Sequence, residues 1–263
     1  MKKFITLALL FSEIGFAVIL NYVLPFVHIN YDYYLCVYIS VLISYLCIVV
    51  WVWAEDNLEE FHIDRLSMVI LIIFGLVRID NVGIPSQIYF KIIIFILSIV
   101  LLMLFLKKYR RIPGIGPRWI AVSLLSCLLV IPLAFIYHLL KITPPANFMS
   151  LKQGFFWNAS RNILFDLYFV APFEEIIYRG FLWGQLRRWG LTEKKTFWVT
   201  MIVFWLIHIW EYPSTPYVFL ILVPLTTLVF GALVYYSKRI STSIIPHTIY
   251  NALLVLIVQL FIH

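Results

Sequence analysis

This chain of 263 residues is 63% hydrophobic and 18% aromatic, with only 13% charged residues and a formal net charge of +7. A soluble domain of that size needs a far more polar surface, so the composition excludes one and points to a polytopic membrane protein. The basic excess follows from loops facing anionic inner-leaflet lipid and calls for no nucleic-acid partner.

Nine apolar runs are predicted as helical spans: residues 4–27, 34–53, 66–77, 88–106, 119–140, 162–183, 196–210, 217–236 and 244–262. The third and seventh are short for a hydrocarbon core of about 30 Å, so eight spans is the alternative, with a short run re-entrant or partly buried in the bundle. The expected architecture is an all-α transmembrane helical bundle of eight or nine spans. The first run follows Met1-Lys2-Lys3, is longer than a signal-peptide core and precedes no small-residue cleavage site, so it is predicted to be retained. Glu13 within it reads as a polar residue packed against a neighbouring helix.

Loop charge fits an N-terminus in the cytoplasm. That orientation puts Lys2, Lys3, Lys107, Lys108, Arg110, Arg111, Arg187, Arg188, Lys194 and Lys195 among the inner residues, and leaves Arg78, Lys141, Lys152 and Arg161 outside. Cys36, Cys47 and Cys127 all fall within predicted spans without metal-ligand spacing, which argues for packing roles and against a disulfide framework. The segment 54–65, with Glu55, Asp56, Glu59, Glu60 and Asp64, reads as a solvated loop or short surface helix.

The clearest helix breaker is Lys141-Ile-Thr-Pro-Pro-Ala-Asn147, because two prolines remove donors and force an extended backbone. It divides residues 1–140, mostly apolar helices with a scaffold or accessory role, from a core at 150–263 that holds most of the informative intramembrane polar groups. Arg161, Asn162 and Asp166 near the start of the sixth run read as interfacial or as the outer end of a cavity.

Within the sixth run lies Ala171-Pro-Phe-Glu-Glu-Ile-Ile-Tyr-Arg179. Ionised carboxylates in lipid are costly unless paired or solvated, so two adjacent ones mark a site. At about 100° per residue Glu175 and Arg179 lie about 40° apart, in the favourable acid-before-base order, while Glu174 points about 140° from Arg179. The arginine is therefore expected to neutralise Glu175 and not Glu174, and the divergent glutamates to need two separate partners. His208 follows Phe204 by four residues, and His247 precedes Asn251 by four, so the last two share a helix face. Pro246 suits a first helical turn and Ser241 or Ser243 a cap, which puts His247 at the positive end of a helix dipole.

These residues carry a resemblance. Glu174-Glu175-x-x-x-Arg179-Gly-Phe-Leu, then Phe204-x-x-x-His208, then His247-x-x-x-Asn251, resembles the CPBP family: CAAX prenyl-protein endoproteases and bacteriocin-processing or immunity proteins. The similarity covers roughly residues 120–260. It implies an intramembrane active-site cavity and hydrolysis of a peptide bond in a membrane-associated protein or peptide. By the same resemblance Glu174 is the general base for water, assisted by His208; His247 and Asn251 stabilise the oxyanion; Glu175 and Arg179 are the supporting pair. No cofactor is expected, with zinc held by two histidines and a glutamate as the alternative. His-Glu-x-x-His is absent. A non-proteolytic immunity or membrane-partner protein on the same fold is the other reading.

Overall fold

The computed structural model describes residues 33–77, 88–141, 171–209 and 216–261, together with residues 8, 11, 12, 15 and 212. Among them the regular structure is entirely helical. The helices are α1 (Tyr33–Ala54), α2 (Arg65–Val77), α3 (Ile88–Lys108), α4 (Pro117–Lys141), α5 (171–188), α6 (Glu193–Leu206), α7 (218–237) and α8 (Ser241–Phe261). They coincide with the predicted runs from 34–53 onward, the sixth only in its part from Ala171. The run 4–27 with Glu13, the loop after Lys141, and Arg161, Asn162 and Asp166 lie outside the described residues, save for the few N-terminal positions given above. Three described stretches are long and apolar enough to cross a membrane: Ile92–Arg111, Pro117–Ile136 and Val218–Ser237.

The chain forms two compact units, Met1–Gly114 and Ile115–His263. Helix α4 falls in the second unit, where it packs along α8.

In the first unit α3 packs against both α1 and α2. Gly75 permits the close approach of α2, since a Cβ there would overlap Ser98 Oγ of α3. Tyr45 of α1 donates to the Leu71 carbonyl of α2 at 2.9 Å. The charged segment 54–65 is solvated in part: Asp56, Glu59 and Glu60 are exposed and Glu59–Phe61 forms a short helical turn, but not every acid faces solvent. Glu55 and Asp64 are buried, and Asp64 Oδ1 caps α2 by accepting from the Leu66 and Ser67 amides at 2.9 and 3.1 Å. The buried Lys108 ammonium donates to the Val52, Trp53 and Glu55 carbonyls, occupying acceptors that the end of α1 leaves over. Cys47 and Cys127 are free thiols; the Cys36 side chain lies outside the description.

In the second unit the core between α4, α7 and α8 is built from Val130, Ala134, Phe230 and Tyr250. Helix α8 runs through Pro246 instead of beginning there. A proline at 246 has no N–H for the carbonyl four residues earlier; that carbonyl, of Thr242, accepts instead from Ser123 Oγ of α4 at 2.9 Å. The seam between α4 and α8 thus repairs the gap that would otherwise favour a helix start at Pro246. Helix α7 opens with a π turn, Val218–Leu222. In that register the amide of residue 224 would reach the carbonyl of residue 219, but residue 224 is proline. Trp205 Nε1 of α6 takes the Phe219 carbonyl at 2.8 Å, with the two rings stacked 5.2 Å apart.

Candidate active site

Helix α5 consists of Ala171–Glu174, a π-helical stretch Glu175–Leu182, and Trp183–Arg188. Such π segments are rare and recur at functional sites, and here the segment carries Glu175 and Arg179. Both side chains are 0% exposed, and Arg179 Nη1 donates to Glu175 Oε1. The guanidinium lies over the Phe204 ring at 4.2 Å and 5.7 Å from the Phe230 ring, so two aromatic faces share its positive charge. The expected pairing of Arg179 with Glu175 is what the structure contains.

Helix α8 brings the third motif to this pair. His247 Nδ1 lies 2.7 Å from Glu175 Oε1, and Nε2 lies 3.6 Å from Glu174 Oε2. The two glutamates therefore meet the two nitrogens of one imidazole, where the helical wheel calls for two separate partners. Because α8 starts at Ser241, His247 sits in its second turn and not at the dipole end expected from a first-turn Pro246. Its ring stacks on Phe230 at 4.7 Å with an interplanar angle of 19°, and meets Phe204 nearly edge-on at 6.2 Å. Glu174 is 25% exposed whereas Glu175 is sealed, so Glu174 is the glutamate within reach of solvent or substrate.

His208 follows the end of α6. Its Nδ1 lies 2.8 Å from the Phe204 carbonyl, an acceptor, so Nδ1 bears the hydrogen and Nε2 of the neutral ring offers a lone pair. The Phe204 ring touches the His208 ring at 4.8 Å. One phenyl thus contacts Arg179, His208 and His247, which draws the second motif to the first and third. Asn251 stands one turn beyond His247 on α8 and is half-buried. The structure therefore assembles Glu174, Glu175, Arg179 and His247 directly, joins His208 to them through Phe204, and keeps Asn251 on the His247 helix.

Two participants have no role in the sequence motifs. Ser243 Oγ donates to Glu175 Oε2; it precedes His247 by four residues, the spacing that also links His247 to Asn251, so the shared face was a usable signal. Phe230 lies in an ordinary apolar run that gave none.

For zinc, the described side chains are not grouped as a ligand set. Among the described residues no group of three or more His, Cys, Asp or Glu side chains is placed to hold a metal ion.

Residues 156–253 match the family model described as Rce1-like: Type II CAAX prenyl endopeptidase Rce1-like. Neither the curated proteins nor the solved structures contain a match to the chain. The matched stretch contains the Glu174-Glu175-x-x-x-Arg179, Phe204-x-x-x-His208 and His247-x-x-x-Asn251 motifs, and the long apolar helices agree with a protease of membranes. Over residues 156–253 this integral membrane protein is similar to the Rce1-like family of type II CAAX prenyl endopeptidases.

Proposed function

We propose that the protein is an intramembrane endopeptidase in which Glu174 and His208 activate water for attack on a peptide bond of a membrane-associated protein or peptide. The observation that carries this reading is the division of labour between the adjacent glutamates. Glu175 is fully buried and accepts from Arg179, His247 and Ser243. Glu174 keeps part of its side chain exposed, while its Oε2 is buried near His247 Nε2.

The steps follow from these groups. Glu174 takes one proton of a water whose other hydrogen is directed by the Nε2 lone pair of His208, and the water oxygen bonds to the scissile carbonyl carbon. The carbonyl electron pair moves onto oxygen, and His247 Nε2 with the Asn251 amide donates to that oxyanion. With Nδ1–H committed to Glu175, His247 donates from Nε2 only as the doubly protonated ring, and Glu175 is the counter-charge beside that form. Collapse of the tetrahedral intermediate breaks the C–N bond, and the leaving nitrogen takes the proton held by Glu174. No step requires a metal.

In this reading residues 150–263 are the catalytic core, residues 1–140 are scaffold or accessory helices, the N-terminus faces the cytoplasm, and the site opens into a cavity within the bilayer. The test is cleavage of membrane-associated peptides by purified protein in lipid. Glu174→Gln is expected to lower kcat by about 10²–10⁴-fold, the usual contribution of a general base. A variant that cleaves at the wild-type rate defeats the assignment of Glu174.

A further inference from the structure

We infer that Ser243 is a positioning residue of this site, holding Glu175 so that His247 keeps Nδ1 on the carboxylate and Nε2 toward Glu174. Its mechanistic meaning rests on the protease reading above; its structural meaning does not.

The Ser243 hydroxyl carries one hydrogen and has two acceptors in reach, Glu175 Oε2 and the Ile240 carbonyl at 2.9 Å. The carboxylate is the charged acceptor and makes the stronger bond. Arg179 and His247 both approach Oε1, so Ser243 is the group that fixes Oε2. Two donors on one oxygen leave a carboxylate able to swing about its Cγ–Cδ bond; a third on the other oxygen locks the plane. That plane sets the direction from which His247 Nδ1 is held. Phe230, stacked against the imidazole face, removes the remaining freedom of tilt. Ser243 is itself 0% exposed, so no water stands ready to replace its hydroxyl. Ser243 and His247 lie one turn apart on the same helix, so the fold delivers the serine and the imidazole to Glu175 as a unit.

The experiment compares Ser243→Ala with Ser243→Thr, which keeps a hydroxyl, by two readouts. In ¹⁵N-histidine spectra of protein in nanodiscs, wild-type His247 is expected to show one hydrogen-bonded Nδ1–H environment, Ser243→Ala more than one, and Ser243→Thr the wild-type pattern. In cleavage assays Ser243→Ala is expected to lower kcat by about 10–100-fold, the range found where the hydrogen-bonding partner that orients a metal-bound histidine is removed, with KM changed less than about threefold. Wild-type kcat together with an unaltered His247 signal in Ser243→Ala overturns the inference. If Ser243→Ala does not fold, Ser243→Cys, a weaker donor of similar size, is read by the same criteria. If the wild-type protein cleaves nothing, the protease reading falls, and the spectra alone decide whether Ser243 fixes His247.

Discussion

His247 Nδ1 lies 2.7 Å from Glu175 Oε1, and this contact joins two motifs separated by 72 residues in the chain. It also explains why the second glutamate of the pair has to be an acid. Glu175 accepts from a guanidinium, an imidazole and a hydroxyl, and an amide cannot serve all three, because half of its polar surface donates.

Glu175→Gln is therefore expected to destabilise the protein, not only to slow it. The substitution leaves Arg179 buried without its counter-charge, a change that costs about 3–5 kcal/mol. The measurement is thermal unfolding in detergent or nanodiscs. A large fall in Tm is expected, with Glu174→Gln much closer to wild type because Glu174 keeps partial exposure. Equal Tm values for the two variants contradict the division of roles.

Phe230→Leu retains an apolar side chain but removes the ring that stacks on His247 and lies near Arg179. Aromatic contacts of this kind contribute about 0.5–1.5 kcal/mol beyond their buried area. A modest loss of stability and a larger relative loss of kcat are expected, since the imidazole is no longer held against a flat surface. Phe230→Tyr keeps the ring and should lie nearer to wild type in kcat. The comparison fails if leucine and tyrosine give the same rate.

The helices were legible because apolar runs end at charged or breaker residues, so α1 to α4 and α6 to α8 begin and end within a few residues of their predicted limits. The Glu175–Arg179 pair was legible because four-residue spacing puts two side chains on one side of a helix. The convergence of both glutamates on His247 was not. It depends on a π segment and on how α5 meets α8, and neither is encoded in local periodicity. The place of Pro246 beyond the first turn of α8 was not legible, because a proline reads locally as a first-turn residue; the distant Ser123 hydroxyl, donating to the carbonyl that Pro246 leaves over, supports a helix that runs through it. Asp64 and Glu55 were misread for a similar reason: a charge run looks solvated until tertiary contacts give its members a helix end or a buried place.

Cleavage is expected to persist after exhaustive chelation. In the described structure Glu174 and the two histidines do not form a three-donor set. The check is activity after dialysis against a strong zinc chelator, with metal content measured on the same sample. Loss of cleavage that added zinc restores would replace the glutamate mechanism with a metal-assisted one, and would require the three donors to draw closer together.

Trp205→Phe probes the position of His208 without touching it. The substitution keeps an aromatic face for Phe219 but removes the Nε1–H that satisfies the Phe219 carbonyl. Leaving a part-buried carbonyl without its donor costs about 1–3 kcal/mol, and Pro224 offers no amide to take over. The end of α6 is then less firmly tied to the π turn of α7, and His208, three residues beyond Trp205, loses definition with it. The expected result is a fall in kcat larger than the change in KM, accompanied by a small drop in Tm. Trp205→His, with a ring N–H able to reach the same carbonyl, should recover part of the rate. If both variants cleave like wild type, the tie between α6 and α7 does not set the position of His208.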